Sequence, residues 1–189
     1  MTRIILLCLL LSACSTTTLK PQTKYYLLDS LPASESNDAK RIVAINSVSM
    51  PGYLDQSNLV MRQADQQIII ANDHRWAGNL RDSVRRVLRV ELNRIVRDFR
   101  FEEACKNCGA LTITIRHFYP TESGEVFLAG SYSLIQEPKQ ATQQVPFSFR
   151  GNMREAGYGE VVNQMRLLLL ELSQHIRRNF EVGVGVTID

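Results

Sequence analysis

Residues 80–99, LRDSVRRVLRVELNRIVRDF, decide the fold class, because the apolar period changes there from the two of a strand to the 3.6 of a helix. Leu80, Val84, Val87, Leu88, Leu92, Ile95, Val96 and Phe99 recur at spacings of three and four, with Arg81, Arg85, Arg89 and Arg97 on the opposite stripe. The pattern predicts an amphipathic helix of about five turns, with Asn79 or Asp73 as its N-cap. A second helix is predicted over 158–180, with Val161, Met165, Leu168, Leu169, Leu172, Ile176 and Phe180 on one face. Leu167 and Leu170 widen that stripe, so this helix is central to the core or shares an apolar patch with a partner.

Outward from these helices the pattern is that of strands. Residues 24–28 (KYYLL) and 41–48 (RIVAINSV) are β-branched and aromatic, and they bracket a loop holding Pro32, Ser34, Ser36 and Asn37. Residues 59–62 and 67–71 read as a short hairpin around the polar 63–66 segment. Its Ile68, Ile69 and Ile70 form an unbroken apolar run, covered on both faces or carrying a residue to a partner. Residues 111–119 and 125–136 alternate and flank Gly124, which predicts an antiparallel hairpin. Residues 142–150 add a strand that Pro146 pushes to an edge or a bulge. The order strands, helix, strands, helix predicts a single α+β domain: a mostly antiparallel sheet with two long amphipathic helices on one face.

The chain has 189 residues, enough for one such domain, and its 44% hydrophobic and 22% charged content excludes wholesale disorder. Its longest apolar run is N-terminal. Arg3 precedes Ile4 to Leu11, eight residues where a spanning helix needs about 20, and Ser12 and Ala13 are the small residues of a signal-peptide cleavage point. Leu11-Ser12-Ala13-Cys14 resembles the lipobox of bacterial lipoproteins. That resemblance implies cleavage before Cys14, a diacylglyceryl group on its sulfur and an acyl group on the new amine. Several acyl chains hold a protein on a bilayer without any spanning segment. The expected organisation is a signal peptide at 1–13, lipidated cysteine and polar tether at 14–23, a folded domain at 24–180 and a C-terminal tail at 181–189. Serine rather than aspartate at position 15 resembles lipoproteins exported to the outer membrane.

Loss of Arg3 with the signal leaves 21 basic and 19 acidic residues, a balance that points to no particular partner. Residues 75–100, however, hold eight arginines against Asp82, Glu91 and Asp98. Such a stripe suits phosphates or an acidic partner, and equally a solvated helix face. Of four cysteines, Cys8 leaves with the signal and Cys14 carries lipid, so Cys105 and Cys108 remain. Their spacing fits a redox pair, half of a zinc site or a local disulfide. No second Cys pair or pair of histidines spaced by three to five residues supports zinc and no βαβ pattern supports thioredoxin-like chemistry, so a two-residue disulfide staple is expected.

Catalytic constellations are scarce. His74, His117 and His175 form no His-Glu-x-x-His, and neither a Gly-x-Ser-x-Gly elbow nor a Walker loop occurs. His117 reads as a strand-surface residue. Gly157-Tyr158-Gly159 lacks the third glycine of a dinucleotide loop, Val162 standing in its place. No metal ligand set, cofactor site or enzymatic activity is expected.

Pro51-Gly52-Tyr53-Leu54-Asp55, Val60 and Arg62, Ile70-Ala71-Asn72 and Trp76-Ala77 resemble the PqiC (YmbA) family, the ABC-type transport auxiliary lipoproteins. Tyr25-Tyr26-Leu27, Gly130, residues 147–151 and Gly157-Tyr158 fit the same pattern. The resemblance implies a two-helix, sheet-containing fold and an outer-membrane lipoprotein facing the periplasm. It further implies work with an inner-membrane transport component and an MCE-domain bridge protein to move phospholipids, with no catalysis and no nucleic acid. On this reading residues 50–55 and 72–76 form one surface loop cluster, where Tyr53, Leu54, Asp55 and Trp76 bind the bridge or a neighbouring copy of the chain. Trp76 at the start of a helix stripe also fits a plain core position. Two other functions are open: a periplasmic lipid-binding module with an acyl chain between helix 158–180 and the sheet, and a structural lipoprotein of envelope assembly.

Overall fold

The computed structural model describes residues 22–30, 39–135 and 144–184, with side chains up to residue 180. The signal peptide, Cys14, the loop residues Pro32, Ser34, Ser36 and Asn37, residues 136 and 142–143, and the end of the tail lie outside the described residues. In chain order the elements are β1 (Lys24–Tyr26), β2 (Arg41–Ser49), β3 (Asn58–Arg62), β4 (Ile68–Trp76), α1 (Leu80–Ile95), β5 (Phe99–Glu102), β6 (Gly109–Pro120), β7 (Glu125–Ile135), β8 (Gln144–Asn152) and α2 (Tyr158–Val184).

Two sheets form, one of order β5-β2-β6-β7-β8 and a smaller one of order β1-β4-β3. The α+β class holds, but both sheets are mixed, which corrects the mostly antiparallel expectation. β2 runs parallel to both β5 and β6, and β1 parallel to β4; β3–β4, β6–β7 and β7–β8 are antiparallel. The cause is connectivity. Strands joined through a crossover, as β2 is to β5 through the small sheet and α1, re-enter in the same direction, and alternation of side chains carries no record of direction. β8 lies at an edge, as its proline requires, with Pro146 opposite Ser131.

α1 begins where Asn79 accepts the Asp82 N–H at 3.1 Å through its side chain. It buries Leu80, Val84, Val87, Leu88 and Leu92 and leaves Arg81, Asp82 and Arg94 outside. It also stops earlier than its period predicts. Val96 is already extended, and Phe99 belongs to β5, where Phe99 and Phe101 alternate inward onto the Phe180 ring. A spacing of three from Val96 to Phe99 suits a helix, but the helix ends where the chain must turn back to pair with β2. α2 runs to Val184, so residues 181–184 continue the helix instead of starting the expected tail.

α1 packs over β2 and β5, α2 over β7 and β8, and the helices touch each other, so one core joins both to the large sheet. Gly130 sits beside a register shift between Ile115 and His117. A Cβ there would overlap the Thr114 carbonyl oxygen and press on Phe147 Cζ at 2.9 Å. Gly124 turns the β6–β7 hairpin at φ +80°, a conformation suited to glycine.

Candidate docking surface

The segment 51–55 is a tight turn in which the Leu54 and Asp55 N–H groups both bond the Pro51 carbonyl, at 2.9 and 3.2 Å. The turn sends neighbouring side chains to different places. Leu54 points into the core at 1% exposure, beside Trp76, Leu80, Phe118, Val161 and Met165. Tyr53 stays half-buried, its hydroxyl donating to the Arg116 carbonyl at 3.1 Å and its ring 6.4 Å from Tyr119. Burial raises its phenol above the ordinary value; Tyr119 adds to the rise and Arg62 opposes it. Asp55 faces the start of α1, where it pairs with Arg81 and accepts from Asn79 at 3.4 Å. A carboxylate there complements the positive end of the helix dipole.

The expected loop cluster is therefore redrawn. Residues 72–76 are not a loop but the second half of β4, which runs nine residues to Trp76. Trp76 is 6% exposed, and its N–H donates to the Ser57 carbonyl at 2.7 Å. Its large apolar ring is better buried than presented, because the strand carrying it is held on both sides by β1 and β3. The structure does bring Tyr53, Leu54, Asp55 and Trp76 to one region, two in the core and two at its rim.

Other sites resolve similarly. Cys105 and Cys108 are joined with their Cα atoms 6.1 Å apart, in the connection between β5 and β6. Most of the arginine stripe is ion-paired: Arg81 with Asp55, Arg85 with Asp82, Arg86 with Asp29, Arg94 with Glu91 and Arg100 with Glu102. Three of those acids, Asp29, Asp55 and Glu102, come from outside the stripe, so the sequence-local excess overstated the charge of this surface. His117 is exposed on β6 and shares a hydrogen bond with the Tyr119 hydroxyl at 2.9 Å. Of the Ile68–Ile70 run, Ile69 and Ile70 are exposed.

Three features escaped the sequence. His74 stacks on Tyr158 at 3.8 Å and bonds the Tyr26 hydroxyl at 2.8 Å, tying β1, β4 and the start of α2 together. Tyr26 and Tyr158 both lay in family-like segments, but nothing local linked them to His74. Beside this cluster a cleft of about 500 Å³ opens between the β6–β7 turn and the β8–α2 connection, lined by Met61, Pro120, Met153, Ala156, Tyr158 and Val161. Beneath the first turns of α2, by contrast, the void among Leu54, Trp76, Phe118, Val161 and Met165 measures about 10 Å³, too small for an acyl chain. Third, His175 lies 3.2 Å from the Tyr132 hydroxyl. Burial, then Arg178, holds this imidazole below its ordinary value against Glu171, and burial pushes Tyr132 up to about 12.

Among the described residues no group of three or more His, Cys, Asp or Glu could hold a metal ion, and no helix is long and apolar enough to cross a membrane. What the fold presents is a single α+β domain with a half-buried aromatic rim. The chain belongs to the family of ABC-type transport auxiliary lipoprotein components, whose model matches residues 25–177. It is 26% identical over 133 residues to the intermembrane transport lipoprotein PqiC of Escherichia coli, covering 68% of this chain and 69% of that one, and equally so to PqiC of Shigella flexneri. Among solved structures it is similar to an uncharacterized protein (TM-score 0.75, 23% identity, 84% of this chain and 99% of that one). A Xanthomonas campestris protein shares the fold at TM-score 0.62 and 12% identity, over 81% of this chain and 92% of that one.

Proposed function

We propose that the chain is an outer-membrane lipoprotein, anchored through diacylglyceryl and N-acyl groups on Cys14, that serves as an accessory component of an MCE-type intermembrane phospholipid transport system. The observation that carries this reading is the family match, which extends from β1 deep into α2 and so covers nearly all of the described domain. The name of the PqiC relatives, intermembrane transport lipoprotein, supports a role in transport between membranes. Its role is to dock the periplasm-spanning MCE-domain bridge, which an inner-membrane component feeds, and it needs no catalytic group or cofactor beyond its own lipid. Tethering raises the effective concentration at the membrane surface, so modest contacts suffice for capture. Tyr53 is the aromatic anchor of that contact and Asp55 its charged neighbour, with Leu54 and Trp76 fixing the turn from beneath. Purification of the tagged full chain from detergent-solubilised membranes is expected to bring down an MCE-domain protein. The Cys14→Ala chain is expected to leave the outer-membrane fraction and lose that partner; outer-membrane retention without Cys14, or no MCE-domain protein, contradicts the reading.

A second reading, lipid binding by the domain itself, is favoured by the 500 Å³ cleft and its methionine and tyrosine lining rather than by the small void beneath the first turns of α2. Phospholipid that co-purifies with the wild-type chain and is lost on Met153→Asp would support it, whereas lipid-free protein argues against it.

A further inference from the structure

The most exposed large apolar side chains among the described residues are Tyr25 at 65% and Leu27 at 58%. They stand two residues apart on β1 and just beyond it, and so share the outward face of the small sheet. Parallel pairing places exposed Arg75 directly beside Tyr25 on that face. β1 is an edge strand of three residues, held to β4 through Lys24, Tyr25 and Tyr26 and pinned by the Ala77 N–H to the Tyr26 carbonyl at 2.8 Å. The patch is therefore fixed on the domain. An aromatic with a polar tip, a branched aliphatic and a cation make up the composition found at membrane–water interfaces.

Chain length restricts where this patch sits. Ten residues lie between Cys14 and Tyr25, and whatever path they take the eleven Cα–Cα steps span at most about 40 Å. With Cys14 held at the bilayer, β1 is the first element of the domain above it. We infer that the face bearing Tyr25, Leu27 and Arg75 seats on the bilayer, Tyr25 and Leu27 entering the headgroup region and Arg75 meeting anionic phosphates. This inference rests on the anchoring of Cys14 proposed above. Seating would fix the orientation of the whole domain, since β1 is tied through His74 to Tyr158 at the start of α2.

Leu27→Cys introduces a free thiol in a chain whose Cys105 and Cys108 are joined and whose Cys14 is acylated, so a nitrobenzoxadiazole label attaches at one place. The full lipidated chain is reconstituted into phosphatidylethanolamine–phosphatidylglycerol vesicles, with a Glu103→Cys chain labelled as a control. In floated vesicles a blue shift and several-fold brighter emission are expected at position 27, with the aqueous spectrum retained at position 103. An aqueous spectrum at position 27 in protein that floats overturns the seating and leaves the anchor intact. Protein that does not float overturns both. A blue shift in the unlipidated Cys14→Ser chain without vesicles, growing with protein concentration, assigns the face to a second copy and also overturns it.

Discussion

At the scale of single residues, the family-like positions prove to be those where backbone geometry leaves few choices. Gly130 is one: Ala there is expected to destabilise the domain by at least about 1–3 kcal/mol in urea titration, because a methyl group meets Thr114 backbone rather than a side chain that could move. Asn93 is another. Buried in α1, its amide donates to the Phe101 carbonyl and accepts the Phe101 N–H, both at 2.8 Å, standing in for a strand neighbour to β5. Asn93→Leu is expected to cost about 1–3 kcal/mol for each backbone group left unsatisfied, measurable in the same titration. His175 gives the domain a pH dependence. Its folded value lies below 6.5, so the unfolded chain binds the proton more readily, and stability is full above 6.5 and declines as pH falls below it. Urea midpoints at pH 7.5 and 5.5 should differ in the wild type and converge in His175→Gln. Glu160, held low by Gln164, the Arg154 N–H and Asn163, acts only as pH falls through and below 4.5 and does not blur that window. Sequence pattern showed that Leu54 and Trp76 mattered but not which way they point, because an aromatic or leucine beside a turn suits a contact surface as well as a core.

Elements were legible where one face is buried and the other is wet. The α1 stripe from Leu80 to Leu92 and the β6–β7 alternation follow directly from that asymmetry. Ends were harder: α1 stops at Ile95 and β4 runs on to Trp76, since both limits are set by pairing with β2 and β1, distant in sequence. The start of α1 depends on Asn79, and Asn79→Ala is expected to lower stability by about 1 kcal/mol in urea titration through loss of the cap to Asp82. Strand direction lay beyond periodicity altogether, which is why the parallel pairs of β2 went unpredicted.

For the whole molecule, the α+β class, the single core and the family were readable before any coordinates, whereas the small sheet's role as a joint was not. Tyr26, His74 and Tyr158 come from three separate segments, and only the fold assembles them. The same holds for the proposed docking rim, where a turn buries Leu54, turns Asp55 toward α1 and leaves Tyr53 at the edge. The central claim, that this rim captures an MCE-domain bridge, is tested most directly by placing a photo-crosslinking amino acid at position 53 of the full chain in living cells. Mass spectrometry of the crosslinked product is expected to identify an MCE-domain protein, with no such product from the same group at position 103. A chain that reaches the outer membrane and crosslinks at position 53 only to other proteins, or not at all, would contradict the account.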